Sequence, residues 1–66
     1  MPERVMDIYT YGRESRASCE QEAASLRRGS PGLVEIRFFT FRNSTSEYRT
    51  LRWERGKWME RRKVRA

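Results

Sequence analysis

Apolar residues recur along the chain with different spacings, and each spacing predicts an element. From Arg4 to Tyr11 (RVMDIYTY) the period is two. Met6 and Ile8 fall on one side; Val5, Asp7, Tyr9 and Tyr11 fall on the other. This alternation, in a run of β-branched and aromatic residues, predicts a strand that Gly12 ends. From Ser15 to Arg28 the spacing becomes helical. Cys19, Ala23 and Leu26 share a face, while Ala17 and Ala24 lie nearly opposite. Ser15 and Ser18 are both candidate N-caps. Ser18 with Gln21 fits a capping box that sets Glu20 and Glu22 near the positive end of the helix. Arg27 and Arg28 fall in the last turn, Gly29 is placed just past the end, and Ser30-Pro31-Gly32 forbids continuation. Small side chains on the buried stripe let such a helix lie close to a sheet, but they bury little area.

The stretch Leu33 to Val64 predicts three consecutive strands joined by two tight turns. It holds all three phenylalanines, both tryptophans and Tyr48. If Asn43-Ser44-Thr45-Ser46 is a four-residue hairpin loop, Arg42 faces Glu47. The pairs that follow are Phe41 with Tyr48, Phe39 with Thr50, Phe38 with Leu51, and Ile36 with Trp53. A two-residue turn at Arg55-Gly56 then sets Glu54 opposite Lys57 and Trp53 opposite Trp58. Period-two alternation sorts the side chains. Val34, Ile36, Phe38, Leu51, Trp53 and Trp58 form the core face, to be covered by the helix, with Glu60 on the same side opposite Leu51. Arg37, Phe39, Phe41, Tyr48, Arg52, Lys57, Met59, Arg61 and Lys63 form the other face, with Glu35 and Glu54 at one end. The expected fold is therefore α+β with the order β-α-β-β-β: a three-stranded antiparallel meander, an N-terminal edge strand and one helix packed on one face. The first strand has two parallel neighbours open to it, the second and the fourth. Residues 1–66 make a single small basic domain, with 61–66 expected as a fraying basic tail.

Charge narrows what the second face is expected to meet. The chain carries 15 Lys+Arg against 9 Asp+Glu, a formal net charge of +6 and a pI near 10.4. Only Lys57 and Lys63 are lysine; the remainder are arginine, whose planar fork suits phosphate and stacks on aromatic rings. Aromatic rings interleaved with cations on an open sheet are how single-stranded nucleic acid is commonly held, with bases on rings and phosphates on cations. The residues expected to do this are Arg37, Phe39, Phe41, Tyr48, Arg52, Lys57, Arg61 and Lys63. The run IRFFTF resembles the aromatic strand of an RNA-binding sheet, without the glycine-containing consensus or the second helix of the RRM. An exposed apolar patch is also how proteins meet proteins. The alternative is thus a small accessory or inhibitor protein, of the kind phages and mobile elements encode, docking on an acidic host protein. A homodimer through the same face is a further possibility.

Other chemistries find little support. Histidine is absent and Cys19 is the only cysteine, so no disulfide, metal cage or Cys–His nucleophile is expected. Small ribonuclease toxins of the RelE type resemble this chain in composition, an Arg-rich sheet without histidine. That resemblance rests on composition alone, and no catalytic residue, metal or cofactor is assigned. Met1-Pro2-Glu3-Arg4 leads directly into the first strand and no stretch is apolar enough to cross a bilayer, so a cytoplasmic, non-membrane protein is expected. A chain this short buries only about 60% of its unfolded surface, which makes stability marginal and a second subunit useful.

Overall fold

The computed structural model describes residues 3–40 and 43–61, with backbone only for 43–46. Strand β1 (Arg4–Thr10) leads into helix α1 (Arg16–Gly29), then β2 (Leu33–Thr40), β3 (Asn43–Glu54) and β4 (Lys57–Arg61). The four strands form one sheet in the order β1-β2-β3-β4. β1 runs parallel to β2, and each remaining neighbour is antiparallel. The edge strand therefore lies beside the second strand and not the fourth. Thr10, Thr40 and Arg61 consequently end three strands at one end of the sheet.

The helix begins where a serine can satisfy an orphan donor. Ser15 is the N-cap, and its hydroxyl accepts from the Ser18 N–H at 3.1 Å. The Ser18–Gln21 box is not used. Glu20 instead sits one turn in and pairs with Arg16 at 3.0 Å. Gly29, expected beyond the end, is the last helical residue, and Ser30 is the C-cap. Arg27 holds this end. Its Nη1 donates to the carbonyls of Pro31 (2.6 Å) and Leu33 (2.7 Å), and its guanidinium lies 4.3 Å from the Trp53 ring centroid. The helix is thus tied to β2 and β3 by one side chain.

The core comprises Cys19 and Ala23 from the helix with Leu33, Ile36, Phe38, Leu51 and Trp58 from the sheet. Met6, Ile8, Leu26, Tyr48 and Trp53 pack against it. Leu33 takes the place expected for Val34. The β1–β2 register passes from Arg4↔Leu33 to Val5↔Glu35, so Val34 is the extra residue of a bulge and strict alternation fails there.

The β3–β4 hairpin has the expected register. Trp53 faces Trp58 and Glu54 faces Lys57, across a turn with φ of 53° at Arg55 and 80° at Gly56. Two positive φ values are what a two-residue hairpin matched to strand twist requires. The tryptophans meet edge to face, centroids 5.4 Å apart. The β2–β3 register differs from the expected one. Asn43 pairs with Thr40, and the supposed loop Asn43–Ser46 belongs to β3. Ile36 faces Leu51 and not Trp53, and Phe38 faces Arg49 and not Leu51. From Glu35 to Phe38 the slip is two residues, which leaves the side chains paired there on their expected faces.

Candidate nucleic-acid interface

The helix covers one face of the sheet, and the strand register lays out the other as straight rows. One row reads Val5, Glu35, Arg52, Met59 across β1 to β4. The next reads Asp7, Arg37, Thr50, Arg61. The last, at the end where β1 and β2 finish, begins Tyr9, Phe39, Glu47. Arg37, Phe39, Arg52, Lys57 and Arg61 thus share the open face, as expected. Phe41 and Lys63 lie outside the described residues.

Tyr48 is not on that face. The register runs from Phe38↔Arg49 to Phe39↔Glu47, which makes Tyr48 the extra residue of a bulge in β3. A bulged residue escapes the alternation, and Tyr48 packs on the helix side. Its ring centroid is 6.3 Å from that of Phe38, and its hydroxyl is 3.4 Å from Thr10 Oγ1. Burial pushes the Tyr48 hydroxyl pKa up, partly opposed by the hydrogen bond with Thr10. The neighbouring Cys19 thiol is likewise raised by burial, against the nearby Arg49 charge. Glu60 lies on the same side, as expected opposite Leu51, and accepts from Arg49 at 2.8 Å.

The ring that Tyr48 does not supply comes from β1. Tyr9 stacks on Phe39 with centroids 5.1 Å apart and planes 19° from parallel. The sequence places Tyr9 opposite Met6 and Ile8, but its neighbour depends on a parallel pairing between segments 30 residues apart, and no local signal encodes that.

Electrostatics change the picture further. The three arginines of the central rows are all engaged by carboxylates. Arg37 donates to both oxygens of Asp7, at 2.8 and 3.2 Å. Arg52 reaches Glu35 at 3.1 Å and Glu3 at 3.5 Å. Arg61 pairs with Glu54. The middle of the face is therefore close to electrically balanced. All 9 carboxylates lie among the described residues, whereas Arg42, Arg62, Lys63 and Arg65 do not. The described residues carry 11 cations against 9 carboxylates, +2 of the total +6. The remaining +4 belongs to Arg42, Arg62, Lys63 and Arg65, outside the described residues.

Among the described residues, no group of three or more His, Cys, Asp or Glu could hold a metal ion, and no helix is long and apolar enough to cross a membrane. Comparison with protein families, curated proteins and solved structures found no match.

Proposed function

We propose that the protein binds nucleic acid, single strands in preference to duplex, at the Tyr9–Phe39 end of its open face and without catalysis. The observation that carries this reading is the stacked Tyr9–Phe39 pair on the uncovered side of the sheet. Its position supports the reading too, beside the strand ends from which the most cationic parts of the sequence continue. Bases stack on such rings with little regard for sequence, each for roughly 1–3 kcal/mol. Phosphates are met by cations not already neutralised. Arg37, Arg52 and Arg61 are engaged by Asp7, Glu35 and Glu54, and the sequence adds Arg42, Arg62, Lys63 and Arg65 outside the described residues. Lys57 forms no ion pair among the described residues but lies at the far end of the face, next to the Arg55-Gly56 turn.

The test is fluorescence anisotropy with single- and double-stranded oligonucleotides over a salt series. The expected result is tighter binding to single strands, with log affinity falling linearly against log salt concentration at about 0.7 per phosphate contacted. No binding at low salt, or binding insensitive to salt, contradicts the reading.

A further inference from the structure

The two central rows of the open face are complementary to themselves. Val5, Glu35, Arg52, Met59 reads apolar, acidic, basic, apolar; reversed, it lays opposite charge on opposite charge and apolar on apolar. A two-fold axis running along the strands between β2 and β3 performs that reversal. Seen from one copy, Val5 meets the partner's Met59, and Glu35 meets the partner's Arg52. In the next row, Asp7 meets the partner's Arg61, and Arg37 meets the partner's Thr50. A two-fold axis across the strands does worse, since it sets Glu35 against the partner's Arg37 but leaves Val5 on the partner's Asp7 and Met59 on the partner's Arg61. We propose that the open face is the interface of a symmetric homodimer built on the first of these axes.

Three further observations fit a second copy better than a phosphate backbone in the middle of this face. Its arginines are already neutralised by Asp7, Glu35 and Glu54. Val5 and Met59, at the two ends of one row, are 52% and 37% exposed. The core behind the sheet is thin, and a symmetric partner is the commonest way for a small domain to bury more. Four strands about 4.8 Å apart and the two central rows about 6.8 Å apart give a face of roughly 250 Å² in projection. That is small beside the roughly 800 Å² per partner of a standard interface, so the dimer is weak and reversible. Ion pairs kept from each chain and shared across the interface add specificity more than affinity. Because the axis runs along the strands, both Tyr9–Phe39 pairs lie at the same end of the dimer. The dimer itself does not depend on nucleic-acid binding.

The test uses protein alone, in sedimentation velocity over a wide concentration range. Wild-type protein is expected to show a reversible monomer–dimer equilibrium. Glu35→Arg and Arg52→Glu, each alone, place like charges across the axis and are expected to remain monomeric. Their equimolar mixture restores Glu–Arg contacts at both related positions and is expected to recover the dimer. Circular dichroism confirms that each variant is folded. If this pair fails to fold, Asp7→Arg with Arg61→Asp makes the same test in the next row. A wild-type protein monomeric at every concentration overturns the proposal. So do single variants that associate as wild type does, or a mixture that stays monomeric.

Discussion

The Arg27 guanidinium lies 4.3 Å from the Trp53 ring centroid while its Nη1 donates to the carbonyls of Pro31 and Leu33. One side chain thereby closes the helix C-terminus, holds the connection to β2 and caps an aromatic ring of β3. Arg27→Ala is expected to destabilise the fold by about 1–3 kcal/mol, from the lost cation–π contact and charge-assisted hydrogen bonds. Arg27→Lys should recover only part of this, because an ammonium that reaches the two carbonyls has no planar group left to lie over the ring. Urea denaturation midpoints measure both effects.

Tyr48 and Phe39 occupy opposite sides of the sheet, although both were expected on the open one. Tyr48→Phe removes the hydroxyl beside Thr10 and is expected to cost about 0.5–1.5 kcal/mol of stability while leaving nucleic-acid affinity at the wild-type value. A loss of affinity in folded Tyr48→Phe protein would return Tyr48 to the binding face.

Glu22 has its carboxyl pKa raised, by burial first and by Glu14 second. A carboxyl whose folded pKa lies above its unfolded value favours the fold when protonated, and that contribution is lost as pH rises through the folded pKa. At neutral pH the Glu22 charge therefore opposes folding. Glu22→Gln is expected to raise the melting temperature near neutral pH, and the gain should vanish well below about pH 4, where the wild-type side chain is also uncharged. Thermal melts at the two pH values measure the difference.

Ala23 is fully buried beneath the helix, which fits the sheet only because its buried face is small. Ala23→Leu should overpack this contact and cost about 1–3 kcal/mol, read from denaturant midpoints.

Features encoded locally were legible in the sequence; those that depend on distant partners were not. Arg55-Gly56 dictates its own turn, and the Trp53–Trp58 and Glu54–Lys57 pairs follow from it. The helix was legible from Cys19, Ala23 and Leu26, and its N-cap was narrowed to two serines. The polar run Asn43–Ser46 has loop composition, yet it belongs to β3, where Asn43 pairs with Thr40 and the register shifts before Glu47. The faces survived the error because the slip was two residues. The bulges at Val34 and Tyr48 break alternation at single residues for reasons remote in sequence. Tyr48 reaches Thr10, and Leu33 fills the space beneath the helix. The Arg37 charge looked available because its carboxylate, Asp7, lies on a strand whose position the sequence left open, and the Arg52 charge because the two-residue slip hid its pairing with Glu35.

The central claim is that bases stack at Tyr9 and Phe39. The most direct measurement is the affinity of Phe39→Ala for a single-stranded oligonucleotide, beside Glu35→Ala as a control in the middle of the same face, at fixed salt and with folding confirmed. The stacking contact predicts a loss of roughly 1–3 kcal/mol, about 5- to 150-fold, for Phe39→Ala, and little change for Glu35→Ala. Equal affinities for wild type and folded Phe39→Ala would contradict it.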